Sequence, residues 1–205
     1  MLRQARIASF GTIDHGTGGP FVSLVNVATD FYGFPVLLLS RLAWHTRNIG
    51  DDRRVSLLVA DLPRTGDALT GARVSVLGNF AEIDKAAASP RYLAHHPEAA
   101  MYVDFSDFAF WRIDAQSVHC VAGFGRIETF AADDVFLCSG EYTDLAVQAP
   151  QMMGAENAGQ GIMAIDPDGA NMMAGGIIKR VNFAAPVKTV AEWWNRWAQI
   201  DETTS

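Results

Sequence analysis

The 205-residue sequence is poor in cysteine, in long apolar runs and in net positive charge. Its two cysteines, Cys120 and Cys138, have neither CxxC nor zinc-finger spacing, which excludes a multi-disulfide scaffold and a finger-type metal site. Each sits beside apolar neighbours and reads as a reduced packing residue of a cytoplasmic protein. The longest apolar runs, such as VLLL at 36–39, are far too short to cross a bilayer. The opening MLRQARIASF has no long apolar segment of the kind that directs secretion. With 16 Lys and Arg against 23 Asp and Glu, the formal net charge is −7, so the chain lacks the basic surface that nucleic acid or an anionic membrane needs. Histidine is scarce as well, with five in the chain and none after His119.

What is present suits a globular protein. Hydrophobic residues make up 49% and charged residues 19%, enough for the core of one ordinary domain with a modest appendage. Residues 7–13, 21–28, 34–40, 55–60 and 72–83 are short apolar or β-branched segments separated by Gly- and Pro-rich turns, and 72–83 carries a bend at Gly78. Two further strands are expected at 108–114 and 117–130, joined by a tight Ala115–Gln116 connection. Residues 84–103 are alanine-rich and helix-prone, with breaks at Pro90 and Pro97. Strands at this spacing with few helices predict an antiparallel barrel or sandwich rather than βαβ units. The character changes near residue 135, which sets expected domains at 1–135 and 136–205. Residues 145–175 hold five of the seven methionines and read as a loose stretch, followed by a strand over 177–187 and a helix from Thr189 to Ile200. On that helix Val190, Trp193, Trp194 and Trp197 recur at packing distance.

The chemistry concentrates in LLLSRLAWHTRNIGDDRRVSLLV, residues 37–59. A helix over 41–49 with Ser40 as N-cap puts Arg41, His45 and Asn48 on one face, and Leu42, Thr46 and Ile49 on an adjacent packing face. Two readings fit: a capped surface helix facing water, or a receptor for an anion built from a helix start, an arginine fork and single donors.

The order GPFVS, FPVLLLSRLAWHTRN, DDRRVSLLV, RVSVLGNFAEID, RYLAHHPEAAMYVDFSDFAFWRID and GFGRIETF resembles the pyridoxamine 5′-phosphate oxidase-like, FMN-binding split β-barrel superfamily. Within it, the sequence looks most like the branch of haem-utilisation (haem-degrading) proteins. The resemblance covers about residues 5–130, and a weaker echo continues in AIDPDGANM and RVNFAAPV. It implies an α+β fold, mainly antiparallel β: a split β-barrel with flanking helices and a small C-terminal α/β extension. It also implies a homodimer holding FMN in interface clefts, with oxidoreductase chemistry on an unidentified small molecule. Carried over residue by residue, the FMN phosphate and ribityl chain map onto Ser40, Arg41, His45, Thr46 and Asn48, where the oxidases have a lysine near the position of His45. Arg73 corresponds to a side chain placed against the flavin, and Ser23 to a contact with the isoalloxazine edge. No catalytic acid or base is implied. Haem is the second cofactor the resemblance allows, and a noncatalytic binding module on the same fold is a third reading.

The chain departs from both relatives on the substrate side. It lacks the C-terminal arginine-and-histidine motif that grips pyridoxamine phosphate, and QMMGAENAGQGIMAID lacks the histidine of the haem-degrading proteins. Haem would then need a methionine such as 152, 153, 172 or 173, or one of the five histidines. The remaining histidines have plainer readings: His15 in a turn whose loop could overhang a cofactor, His95 and His96 near a helix end, capping it or facing solvent, His119 in a strand. GFGRI lies within the expected last strand, and IDPDGAN reads as a turn rather than a calcium loop.

Overall fold

A computed structural model of the chain describes residues 1–61, 63, 65–123, 125–137, 139–153, 161–175 and 177–204. The chain divides into two compact units, Met1–Phe136 and Leu137–Ser205. Cys138 and the segment 154–160 of the methionine-rich stretch lie outside the described residues.

The first unit is built on one antiparallel sheet. Its strands are β1 (Ile7–Ile13), β2 (Pro20–Asn26), β3 (Ala28–Thr29), β4 (Pro35–Ser40), β5 (Arg54–Asp61), β6 (Ala72–Ile83), β7 (Phe108–Val121) and β8 (Ile127–Ala131). They follow the order β2-β1-β5-β6-β7-β4-β3, with β8 pairing on β7. Two-residue alternation sorts the side chains: Ala8, Phe10 and Thr12 of β1 are buried, and so are Val55, Leu57 and Val59 of β5. These join Leu37, Leu39, Val76, Phe80 and Ile113 in the main core. This is the split-barrel, α+β architecture.

Strands β6 and β7 form the spine. The expected turn at Ala115–Gln116 is absent, and β7 runs unbroken for 14 residues. Neither residue is a turn former, and β6 pairs with β7 from Ile83↔Phe110 to Arg73↔Val121, absorbing an irregularity at Leu77/Gly78. A Cβ at Gly78 would lie 2.2 Å from the Asp114 carbonyl oxygen, so only glycine permits this approach. The chain instead turns at Gly123 and Gly125, whose φ values are 97° and 78°, before β8 opens at Ile127.

Helix α2 (Lys85–His95) covers the other face of β4 and β7, where Tyr92 packs with Val36, Leu38 and Phe110. Asp84 caps it by accepting from the Ala87 N–H at 2.9 Å. The helix continues through Pro90 and stops before Pro97. His95 and His96 are not at the surface as expected: they are 5% and 1% exposed, with Nε2 atoms 2.8 Å from the carbonyl oxygens of Ala5 and Val27.

In the second unit the stretch read as loose holds helix α3 (Thr143–Met152) and strands β9 (Ile162–Asp166) and β10 (Gly169–Ala174). Strand β11 (Ile177–Asn182) completes a sheet of order β11-β10-β9, and helix α4 (Val190–Thr204) follows. Asp166 and Arg180, 0% and 4% exposed at their side chains, form a two-pronged ion pair at 2.6 and 2.7 Å. Trp193 of α4 donates its indole N–H to the Asp166 carbonyl oxygen at 3.1 Å and stacks on Trp197. Its aromatic face therefore packs within its own unit. Among the described residues no helix is long and apolar enough to cross a membrane.

Candidate functional site

Helix α1 (Trp44–Asp51) begins three residues after β4 ends, and that gap decides which side chains it presents. Ser40 does not cap it. Its hydroxyl donates to the Asp107 carboxylate and accepts from the Leu42 N–H at 3.1 Å, closing a local turn. The backbone N–H of Arg41 bonds the Asp107 carbonyl oxygen at 2.6 Å, and Ala43 takes the cap position without a side-chain bond. Arg41 thus lies outside the helix, and the expected face of Arg41, His45 and Asn48 splits into three environments.

Arg41 reaches across β6 and β7. Its guanidinium pairs with Glu82 and lies 5.7 Å from the centre of the Trp111 ring, with both charged side chains about half exposed. Trp111 stacks on Phe80 at 5.4 Å with planes 4° apart. Phe80 contacts Phe10 at 5.1 Å, and Phe10 meets the edge of the His45 ring at 6.0 Å. A line of rings therefore joins the Arg41 region to α1.

His45 turns toward β1 and β2. Its Nδ1 lies 3.1 Å from the Ser23 hydroxyl, while its Nε2 is buried without a partner. Burial pulls its pKa down from the usual imidazole value, so the ring is neutral at pH 7. Thr46 is 7% exposed and its Oγ1 is also buried and unpartnered. Asn48 is wholly buried and its amide is fully engaged: Oδ1 accepts from the His15 backbone N–H at 3.0 Å and from the His15 ring, and Nδ2 donates to Thr12 at 2.9 Å. Asn48 thus positions α1 and the β1–β2 loop. That loop is also held by Trp44, whose indole N–H donates to Asp14 at 2.5 Å and whose ring packs on His15.

Arg73 is not brought to this group. It opens β6, nine residues before Glu82 and up to about 30 Å away along the strand. Its guanidinium donates to the Leu69 and Gly71 carbonyl oxygens at 3.0 and 3.3 Å, and it stands on the face opposite the buried Val74 and Val76. Sequence reasoning missed Phe10, Phe80, Trp111 and Glu82. The inward strand positions of Phe10 and Phe80 were readable, but the contacts among the four depend on pairing across distant strands.

Besides the Tyr92 hydroxyl on the α2 side of the sheet, three buried side-chain polar atoms lack a partner among the described residues: His45 Nε2, Thr46 Oγ1 and Trp111 Nε1. Trp111 Nε1 is buried and unpartnered, and an indole N–H can only donate. Arg41 also only donates, while Thr46 and His45 can. An acceptor-rich, anionic ligand with a phosphate and hydroxyls fits these donors, as FMN would. Each unpaired buried group costs about 1–3 kcal/mol until it is satisfied. Among the described residues no group of His, Cys, Asp and Glu is placed to hold a metal.

Comparison with known proteins agrees with this architecture. A family model described as the CREG β-barrel matches residues 1–136. HOZ, an unconventional haem oxygenase of the Arabidopsis thaliana chloroplast, is 37% identical over 138 residues, 66% of this chain. The chain spans only 39% of that relative's length. A protein of unknown function from Agrobacterium tumefaciens shares the structure over 97% of this chain and 91% of its own, with a TM-score of 0.83 at 25% identity. A haem-binding protein from Mycobacterium smegmatis shares the fold over 98% of this chain and 92% of its own, with a TM-score of 0.60 at 23% identity. The chain belongs to the CREG β-barrel family.

Proposed function

We propose that the protein binds FMN noncovalently and acts as an oxidoreductase on a small molecule, as a homodimer in the cytoplasm. The observation that carries this reading is the buried, unpartnered indole N–H of Trp111 with the Arg41 guanidinium 5.7 Å from its ring centre, joined by buried, unpartnered polar atoms on His45 and Thr46 of α1. FMN would supply the hydride or electron chemistry. The chain's own residues anchor it, with Arg41 and Thr46 addressing the phosphate, and exclude water from its surroundings.

A second copy is part of the reading. The outward face of the sheet carries Leu24, Ser9 and Leu58 in one row and Val22, Gly11, Ser56 and Leu77 in the next. Val22 and Leu24 are 67% and 72% exposed, an apolar surface of the kind that marks an interface. Arg73 stands on this same face, so a second copy offers the arginine that one chain keeps away from its own α1.

The test is the visible spectrum and thermal melting of protein purified without denaturant. Bound FMN gives a flavin spectrum, and added FMN raises the melting temperature by mass action. Colourless protein whose melting FMN leaves unmoved removes the reading.

Haem is the second reading, favoured by the 37% identity to a haem oxygenase. His45 Nε2, buried and unpartnered, is the ring nitrogen that would serve as axial ligand. A Soret band on haemin titration that disappears in His45→Ala would support it.

A further inference from the structure

We infer that the dimer is built to open on acidification, with His119 as the proton-sensitive residue of the face that joins the two copies. This deepens the second-copy part of the proposed function and rests on it. Followed across the sheet, the row of Leu24, Ser9 and Leu58 passes through Ser75 of β6 to His119 of β7 and Thr129 of β8. The neighbouring row continues from Leu77 to Ser117 and Ala131. At about 4.8 Å between strands, these rows span roughly 24 Å.

Neither row contains an Asp, Glu, Lys or Arg, in a chain with 16 basic and 23 acidic residues. Charge stands at the margins instead: Arg54 and Asp114, joined through Asn79, on one side, and Arg73 on the other. Leu58 and Leu77, near the middle, are still 39% and 41% exposed. A charge-depleted, exposed apolar centre inside a polar rim is the layout of an interface core. Such a face offers nothing to a charged partner, and a second copy brings the same uncharged surface to a two-fold contact.

His119 is the one side chain of these rows that can take up a charge near neutral pH. Its Nδ1 lies 2.8 Å from the Thr129 hydroxyl, which can donate to a bare nitrogen or accept from an N–H. That bond therefore survives protonation, and what changes is the charge. The groups facing the ring from the neighbouring strands are Ser75 and Thr129, and the nearest charged side chain on the face is Arg73, also positive. Glu128 points to the opposite side of β8, paired with Cys120, and Asp133 and Asp134 lie in the turn Ala132–Asp134 beyond the rows. Each copy brings its own His119, so acid places two uncompensated positive charges in one interface. The separated chain leaves the ring in water and binds more protons, so falling pH favours separation.

The experiment is sedimentation velocity of the full chain over a range of concentrations at pH 8.0 and 6.0, with circular dichroism to confirm folded protein at both. The dimer Kd of the wild type is expected to rise about tenfold or more at the lower pH. His119→Gln, which keeps a hydrogen-bonding group beside Thr129 and takes no proton, should dimerise equally at both. His119→Lys should dimerise weakly at both. A wild-type Kd that pH leaves unchanged overturns the inference while the dimer stands, as does a His119→Gln chain with the wild-type pH dependence or a His119→Lys dimer as tight as the wild type at pH 8.0. Wild-type monomers at both pH values remove the second-copy reading, and the inference with it.

Discussion

Asn48 Oδ1 accepts two hydrogen bonds from one residue, His15, through its backbone N–H at 3.0 Å and its ring nitrogen at 2.7 Å. The same amide donates to Thr12, so a single buried side chain ties α1 to β1 and to the loop that follows. Asn48→Ala is expected to destabilise the protein by about 2–3 kcal/mol, because buried groups on both partners lose their bonds. Urea denaturation measures this, and a loss under about 0.5 kcal/mol would contradict the fully engaged amide.

Arg41 and Glu82 make a pair of the other kind. Both side chains are nearly half exposed, so the pair contributes only about 0–1 kcal/mol to folding. Arg41→Ala should leave the melting temperature nearly unchanged while weakening FMN binding at least about tenfold, since it removes a charge-assisted fork. Glu82→Gln should strengthen binding by freeing that fork. Weaker binding in Glu82→Gln would show that Glu82 helps to hold the ligand rather than competing for Arg41.

His95 predicts an acid-sensitive fold. Burial depresses its pKa to about 4, helped by the neighbouring His96 and nearby arginines and opposed by its bond to Ala5. The unfolded chain takes up this proton near pH 6.5 and the folded chain resists it to about pH 4, so the unfolded state binds more protons in between. Stability should therefore be intact above pH 6.5 and fall toward pH 4, by on the order of 3 kcal/mol from this group. His45, lowered by burial, acts in the same direction. Urea midpoints at pH 7.5 and 4.5 test this, and His95→Gln should flatten the difference. Parallel profiles would place the acid sensitivity elsewhere.

Asp166 and Arg180 should respond asymmetrically. Asp166→Ala leaves the Arg180 guanidinium buried and unpaired, at an expected cost of about 3–5 kcal/mol. The double change Asp166→Leu/Arg180→Met should cost much less than the two single changes added together. A double-mutant cycle reads the coupling directly.

Leu24→Arg places a charge on the exposed apolar sheet face. If this face pairs two copies as proposed, size-exclusion chromatography with light scattering should show dimers for the wild type and monomers for Leu24→Arg, with little change in the unfolding free energy of the dissociated chain. An unchanged elution would move the interface to another surface.

Much of the fold was legible in local patterns. The strands over 7–13 and 72–83 followed from alternation and turn chemistry. What failed depended on distant partners. Ser40 has the right identity and place for an N-cap, yet its hydroxyl goes to Asp107, 67 positions later in the chain. His95 and His96 looked like solvent-facing residues because the carbonyls that bury them belong to Ala5 and Val27. The run at 115–116 looked like a turn because the pairing that keeps it extended comes from β6. At the site, the residue types for an anion receptor were visible, but the division of labour between Arg41, His45 and Asn48 was not.

The pairing of β4 with β7 also has a consequence for the order of events during synthesis. β4 is bonded on its long side to β7, with Val36 opposite Arg112, so the strand that delivers α1 has no sheet partner there until β7 has been made. Closing so long a loop is slow relative to forming the local β1–β2 and β5–β6 hairpins. A nascent chain leaving the ribosome therefore carries hairpins but not the Arg41–Trp111 contact, which arrives with residues 108–121 rather than with the segment that supplies Arg41.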